Sequence, residues 1–438
     1  MKSIIVSSNS SGGGKTTVTL ALMKTLIDRG YKVQGYKVGP DYIDPAFHRE
    51  ITGVDTRNLD LFLMGEPGVK ESYLRGEGDL GIIEGVMGLY DGKGIDTNFS
   101  TAHVSRTLDL PVVLVLSPKA QSATLCAEIE GLRNYENVNI VGIILNNISE
   151  SYYKLLKKAI EVNCKGIRVF GYIPKDERLA LKSRHLGLVQ SSEVEDLSKK
   201  IELCSSLMEE YVDVDSLIEE FKASDIQSTN SEDFHAENKD IKIAVAYDKA
   251  FSFYYKENIE LLEEVGTVQY FSPLKDREVP KDVDFIYIGG GYPEVFKEEL
   301  SSNKSMLNSI RKALNSGVKC YAECGGLMYL TESIDGVETV GFFNGTSYMT
   351  GKLNNFGYAT IKIKEENSIV PKDMMINCHE FHKSLVDLKE EEIYELEKKA
   401  YDGTTKKWKC GYVKNNVLAA YGHIHFFSNI DFFNSLIK

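Results

Sequence analysis

Nowhere among the 438 residues do about 18 apolar side chains follow one another without interruption, which excludes a conventional membrane-spanning helix. The first residues, MKSIIVSSNS, lack a basic segment followed by a long apolar stretch and a cleavage site, so they read as a short strand entering a Gly/Ser loop rather than a secretion signal. Proline is scarce, at 10 residues against 36 glycines. With 42% hydrophobic and 26% charged residues, the composition excludes collagen-like, mostly disordered and coiled-coil chains. The seven cysteines (126, 164, 204, 320, 324, 378, 410) are odd in number, dispersed and without a CxxC pair. That spacing argues against a disulfide framework or a structural zinc site, and a reduced cytoplasm is the expected setting. There is no basic excess either: 51 Lys and Arg stand against 64 Asp and Glu, a net charge of −13. A general nucleic-acid binder would carry a basic patch.

What is present is an α/β rhythm long enough for two or three domains. Val/Ile/Leu-rich runs at Ile4–Ser7, Lys32–Lys37, Leu80–Glu84, Val112–Leu116 and Ile140–Leu145 alternate with helical patterns, such as Ala120–Asn134 and Ser151–Asn163. Buried-type strands separated by helices predict a parallel sheet covered on both faces. From 209 to 240 the texture changes: eleven Asp or Glu face two Lys, and the second half has no apolar period. This stretch reads as a helix end running into a solvated linker, and it holds −9 of the total charge. The rhythm then restarts with Ile241–Ala246, Thr267–Phe271, Phe285–Ile288 and Val318–Ala322. The expected division is a domain over 1–208, the acidic segment 209–240, and a second domain over 241–438.

The first strand runs into SSNSSGGGKTT (Ser7–Thr17) and then a helix through about Asp28. Glycines such as Gly12 and Gly14 let successive N–H groups face a phosphate, and the helix N-terminus adds its positive dipole end. Lys15 is placed for the β/γ-phosphates, Thr16 for Mg²⁺, and Thr17 beside them. The strict GxxxxGK[ST] pattern fails because residue 9 is Asn. Candidate carboxylates follow neighbouring strands, where ligands of open parallel sheets bind. YKVGPDYIDPAFH supplies Lys37, Asp41 and Asp44, and IIEGVMGLYDG supplies Glu84 and Asp91. Asn146, after the next strand, is a candidate for adenine. Arg184 and His185 in SRHLGL could meet substrate carboxylates or order a loop.

In the second half, VKCYAEC ends in Gly-Gly before a helical LMYLTES. A nucleophile between small residues at a strand-to-helix turn is exposed by the turn, and the helix N-terminus is expected to lower the thiol pKa. Cys324 is that candidate. AAYGHIHFFSN offers His423 or His425 as its base. The strand end IYIGGGYPE can present a backbone N–H, that of Gly291, to an oxyanion, with Gly325 N–H as the second donor. The HEFH pair (His379, His382) lacks HExxH spacing and suits a packing or substrate-facing role better than a metal. Trp408 is expected to pack or to sit on a hairpin.

Several of these segments carry a resemblance. GGGKTTVTLALM, YKVGPDYIDPAFH, NLDLFLM, EGVMGLYDG and RHLGLV are similar to the synthetase half of the cobyrinate a,c-diamide synthases, a family related to dethiobiotin synthetase and cobyric acid synthase. AVAYDKAFSFYYKENIELLEEVG, YFSPL, GGGYPE, AECGGLMYL and HEFHKS resemble its class I glutamine amidotransferase half. The likeness covers roughly 1–200 and 241–430. It implies two α/β domains, a phosphate-loop parallel sheet of the dethiobiotin synthetase type and a flavodoxin-like amidotransferase sheet. It also implies a carbon–nitrogen ligase of cobalamin biosynthesis that uses ATP, Mg²⁺ and glutamine to amidate the a- and c-acetates of cobyrinate. Asp41 and Glu84 (with Thr16) would then serve the metal, and Lys37, Asp44 and Asp91 the phosphates or the substrate carboxylate. Tyr421, His423 and Phe426 match the spacing of a Y-x-H-G-x-F pattern in related synthases, which favours His423 as base over His425. The His-Pro-Glu acid of other class I domains has no counterpart, since Phe427 and Ser428 stand near that place, and a Cys–His dyad is expected. Hydrogenobyrinate and Ni-sirohydrochlorin are alternative substrates for the same motifs, and homodimerisation is left open. A partitioning-type ATPase is the rival of another class. It would want a second lysine where the loop has Ser10, and it has no use for Cys324.

Overall fold

The computed structural model describes residues 1–176, 178, 191–226 and 231–438, with the side chains of 191–197 and 231–232 outside the description. Arg184 and His185 lie outside the described residues. Chain contacts divide the molecule into two units: Met1–Leu61 with Val69–Thr229, and Phe62–Gly68 with Asn230–Lys438. Among the described residues no helix is long and apolar enough to cross a membrane.

The first unit alternates strand and helix: β1 (Lys2–Ser8), α1 (Lys15–Asp28), β2 (Val33–Val38), α2 (Ile43–Thr52), β3 (Arg57–Leu59), α3 (Leu61–Leu74), β4 (Leu80–Glu84), α4 (Thr101–Leu108), β5 (Val112–Leu116), α5 (Ala123–Tyr135), β6 (Ile140–Ile148), α6 (Glu150–Asn163), β7 (Arg168–Pro174), α7 (Ser191–Tyr211), α8 (Val214–Glu219) and β8 (Lys222–Ala223). The sheet order is β3-β2-β4-β1-β5-β6-β7, with β8 antiparallel at the start of β1. The seven strands on that path pair in parallel. Their carboxyl ends therefore lie along one edge, and the loops after β1, β2 and β4 come together there. The strands are buried on both faces, which is why they read as continuous apolar runs.

One sequence expectation fails here. The expected helix end is that of α7, which closes at Tyr211, but the residues after it are not a solvated linker: Val212, Val214, Leu217 and Phe221 join Val18, Leu22 and Leu26 of α1 and Ile4 and Val6 of β1 in one buried core. The acidic residues between them face outward, where Arg29 pairs with Glu209 and Asp215 at 2.6 Å each. Charge density hid an amphipathic helix whose apolar positions were few but regularly spaced.

A second departure is at the kink in α3. Gly65 there has φ 65° and ψ 178°, two residues before Pro67. The segment Phe62–Gly68 groups with the second unit: Asn377 Nδ2 donates to Phe62 O at 2.8 Å, and the Phe62 ring lies 4.5 Å from that of Tyr358.

The second unit contains β9 (Ile241–Ala246), β10 (Phe251–Phe253), α9 (Lys256–Val265), β11 (Gly266–Phe271), β12 (Phe285–Ile288), β13 (Gly290–Gly291), α10 (Lys297–Ser302), α11 (Lys304–Asn315), β14 (Lys319–Glu323), α12 (Gly325–Leu330), β15 (Ser333–Ile334), β16 (Val337–Glu338), β17 (Gly345–Ile363), β18 (Met375–Leu388), β19 (Glu392–Lys399), β20 (Thr405–Lys414), β21 (Val417–Ala420) and α13 (Ile430–Leu436). Its parallel part has the order β11-β9-β12-β14-β21, the 2-1-3-4-5 arrangement of flavodoxin-like sheets. The sheet then continues through antiparallel β20, β19 and β17, with β18 paired to β17. This extension was not foreseen. Trp408 lies on β20 of the β19–β20 hairpin, where its Nε1 donates to Glu380 Oε1 at 3.1 Å.

Because Leu217 is fully buried in the core of the first unit, Leu217→Ala should lower unfolding stability by about 3 kcal/mol. The check is the denaturant midpoint at unchanged slope. A solvated linker residue would change it by less than about 0.5 kcal/mol.

Candidate functional site

In the first unit the loop between β1 and α1 is set by Gly14, which caps α1 with φ 90°. A side chain on Gly14 would also collide with Asn146, whose Nδ2 would lie 2.0 Å from its Cβ. Asn146 donates to Ser117 Oγ at 3.1 Å and lies 3.4 Å from Gly13 O, and Ser117 Oγ itself donates to Gly13 O at 2.9 Å. The amide expected to meet adenine is thus turned against the loop backbone. Ser8, where a longer form of the loop pattern would have Gly, fills the space beneath Gly13. Gly12, with φ 77°, sits exposed at the loop tip with open space around it. Thr16 and Thr17 occupy the first turn of α1.

Lys15 Nζ donates to Ser10 O at 3.2 Å and to Met87 O at 2.5 Å, which folds it across the loop. Burial and then the nearby Lys37 charge lower its pKa. Behind it lies a buried charge cluster. Glu84, fully buried at the end of β4, accepts from Thr16 Oγ1 at 2.6 Å and from Lys37 Nζ at 3.1 Å, while its Oε2 lies 2.7 Å from His48 Nε2. Burial opposes ionisation of Glu84, but Lys37, His48 and Thr16 outweigh it and hold the carboxyl well below its usual range. Lys37 also reaches Asp44 at 2.5 Å and Asp41 at 4.0 Å. Asp44 moves the other way: burial and the Glu84 charge push it up against the pull of Lys37. Asp41 Oδ1 accepts from Ile43 N at 2.8 Å at the start of α2, leaving Oδ2 toward Lys37. Asp91 closes its own turn by accepting from Gly88 N at 2.9 Å. Sequence reasoning quoted His48 within a motif but gave it no role. Its buried contact with Glu84 is visible only once α2 packs on β2.

In the second unit, β12, β14 and β21 are adjacent parallel strands, and three loops leave their carboxyl ends together. Cys324 follows β14 with φ 49° and ψ −100°, a strained conformation for a residue bearing a Cβ. Its N–H donates to Ala420 O at 2.7 Å, and its carbonyl accepts from Met328 N at 3.1 Å. Gly326 lies so close to β12 that a Cβ would be 2.2 Å from Ile288 O. Gly290 and Gly291 form β13 beside this turn, and the Gly291 nitrogen lies 3.1 Å from the position of a Cβ on Gly325. The two N–H groups expected to share an oxyanion thus belong to neighbouring backbones.

The two candidate bases differ in environment. His425 is consumed by packing: Nε2 faces Glu257 Oε2 at 3.2 Å, and Nδ1 accepts from Phe427 N at 3.2 Å. His423 is anchored through its backbone to His379, with reciprocal N–H···O bonds of 2.9 and 3.0 Å. Its ring lies against Gly290, where a Cβ would stand 2.4 Å from Cε1. Glu323, directly before Cys324, has Oε2 3.8 Å from His423 Nδ1. No sequence signal other than this adjacency pointed to it.

The thiol itself departs from expectation. Burial, then the charges of Glu294, Glu380 and Glu323, raise the Cys324 pKa well above the usual value, and the Gly325 amide offsets this only partly. A one-turn helix such as α12 does not compensate for desolvation. Glu294 is pushed up to about 7, chiefly by burial. The HEFH pair lies on β18. His382 stacks on Tyr421 at 3.8 Å and meets Glu380 Oε2 at 3.2 Å, a packing role. Burial, followed by His423 and Lys398, lowers His379 to about 3. Among the described residues no group of three or more His, Cys, Asp or Glu is arranged to hold a metal.

A phosphate-loop sheet and a flavodoxin-like sheet with a cysteine elbow define a glutamine amidotransferase coupled to a nucleotide-binding domain. Residues 4–189 match the CobQ/CobB/MinD/ParA nucleotide binding domain, and residues 242–430 match the CobB/CobQ-like glutamine amidotransferase domain. The chain is 63% identical to a cobyrinate a,c-diamide synthase of Clostridium tetani and 62% identical to one of Clostridium acetobutylicum, covering 100% of both chains in each case. It is 44% identical to one of Listeria innocua, over 98% of this chain and 97% of the relative. The chain belongs to the cobyrinate a,c-diamide synthase family.

A buried, protonated thiol reacts slowly. Iodoacetamide should therefore label Cys324 at pH 7 more slowly than a free cysteine, with the rate rising steeply as pH enters the alkaline range. Intact-mass spectrometry against a Cys324→Ser control measures this. Fast labelling at pH 7 that is flat toward higher pH would contradict the raised pKa.

Proposed function

We propose that the protein is a carbon–nitrogen ligase that converts the a- and c-acetate carboxylates of cobyrinate into primary amides, using ATP and glutamine. The observation that carries this reading is the strained Cys324 elbow after β14, next to the strand β21 that leads to His423, in one chain with the Lys15 loop and its buried Glu84–Lys37 pair. A partitioning-type ATPase has no use for the elbow.

In the second unit His423 takes the Cys324 proton as sulfur attacks the glutamine carboxamide. The N–H groups of Gly291 and Gly325 receive the oxyanion, ammonia leaves carrying that proton, and water hydrolyses the glutamyl thioester. The raised thiol pKa makes proton removal by His423 part of the attack rather than a step completed beforehand. In the first unit ATP phosphorylates a substrate carboxylate, and ammonia displaces phosphate from the acyl phosphate. Gly12, Gly14, Lys15 and Thr17 cradle the triphosphate. Lys15, free to leave Ser10 O and Met87 O, stabilises the charge on the transferred group. Lys37, Asp44 and Asp91 face the phosphates or the carboxylate, and Asn146 orders the loop.

Mg²⁺ fits the oxygen donors at this site. Thr16, Glu84 and Asp41 would hold it, and phosphate oxygens and water would complete its shell. When bound it supplies neutralisation of phosphate charge.

Mass spectrometry of cobyrinate, hydrogenobyrinate and Ni-sirohydrochlorin, each incubated with ATP and glutamine, tests the substrate. We expect two successive amidations of cobyrinate; exclusive amidation of either other tetrapyrrole would transfer the assignment to it. Cys324→Ser should abolish glutamine-dependent amidation and spare the ammonia-dependent reaction. Lys15→Ala should lower amidation from either nitrogen donor by roughly 10³-fold. Loss of both reactions in Cys324→Ser would contradict the division of labour.

A further inference from the structure

The dyad expected from the sequence has a third group beside it. Glu323 is the last residue of β14, its side chain is 1% exposed, and Oε2 stands 3.8 Å from His423 Nδ1. The carboxylate is fixed on two other sides. Oε2 accepts from the Tyr287 hydroxyl on β12 at 3.1 Å, and Oε1 accepts from Ile424 N at 3.1 Å, in the residue after His423 itself. The same backbone that carries the histidine therefore ties down the carboxylate that faces its ring. Gly290, lacking a Cβ, lets the ring pack against its backbone at Cε1, and the His379 bridge fixes the His423 main chain. A histidine that is to accept the Cys324 proton at Nε2 must carry its own proton at Nδ1. A buried carboxylate facing Nδ1 selects that tautomer.

We propose that Glu323 is the positioning residue of this nucleophile site. It holds His423 in the Nδ1–H tautomer and orients the ring toward Cys324, the part played elsewhere by an acid two residues beyond the histidine. It rests on the reading of Cys324 and His423 as nucleophile and base. The 3.8 Å separation shortens to a hydrogen bond when glutamine is bound, as catalytic hydrogen bonds of ligand-free enzymes do. The economy is in sequence: nucleophile and orienting acid are consecutive residues, the acid ending β14 and the cysteine opening the strained turn into α12.

The test uses the full-length protein. Glu323→Gln should lower glutaminase kcat about 100-fold, with KM for glutamine changed less than about threefold and ammonia-dependent amidation unchanged. Glu323→Asp, which keeps the charge but shortens the reach, should recover part of the loss. Because Glu323 also binds Ile424 N, thermal unfolding of each variant is recorded alongside. A second measurement needs no substitution of Glu323. In ¹⁵N-histidine NMR of the unaltered protein, with His423 assigned by its loss in His423→Asn, we expect the Nδ1–H tautomer. A glutaminase kcat unchanged in Glu323→Gln, or an Nε2–H tautomer at His423, overturns the proposal. Cys324→Ser run in parallel separates the cases. If it keeps glutaminase activity, the assignment of the nucleophile has failed, not merely that of Glu323.

Discussion

Cysteine does not adopt φ 49° and ψ −100° unaided, and in the second unit this single backbone conformation is what the surrounding strands are arranged to impose. Such a residue costs of order 1–3 kcal/mol and persists only where neighbouring structure over-determines it. Here the determinants are visible. The N–H of Cys324 is held by β21, its carbonyl caps the first turn of α12, and Gly326 allows the chain to press against β12. Each of these strands also delivers a functional group at its own carboxyl end: His423 after β21, the glycines after β12, Glu323 on β14 itself. Strain, the proposed base and the proposed oxyanion donors thus follow from the order of three parallel strands.

The first unit reaches a comparable degree of constraint through charge. Glu84 is buried without access to water, and it stays ionised because Lys37, His48 and Thr16 converge on it from β2, α2 and α1. Breaking such a group by removing one partner leaves a buried charge uncompensated, which is far costlier than loss of a surface pair. The cluster locks three elements to the base of the phosphate loop. It also leaves Asp44 as the carboxylate with the raised pKa, chiefly through burial and then through the neighbouring Glu84 charge.

The legibility of the sequence followed burial. β4, β5, β9 and β12 are legible in the sequence with the boundaries observed, since strands covered on both faces leave uninterrupted apolar runs. The β17–β20 extension escaped because its strands are long, charged and half exposed, with Glu spread along β19 and Lys along β20. Helix α8 escaped for the opposite reason: two or three apolar residues carry its packing, and eleven acids nearby set the apparent texture. At the sites, residues in glycine-rich turns were legible because their chemistry is local. His48, Glu323 and the role of Asn146 were not, because each acts across a contact that exists only after folding. The expected depression of the Cys324 pKa failed on magnitude, since burial outweighs one short helix.

The burial of Cys324 has a consequence for durability. Peroxide attacks the thiolate, and the first product, sulfenic acid, needs room and a water-exposed sulfur. A buried sulfur whose pKa is raised by burial offers an oxidant little to act on. Under the proposed mechanism, the desolvation that slows this thiol would also spare it from oxidation between turnovers.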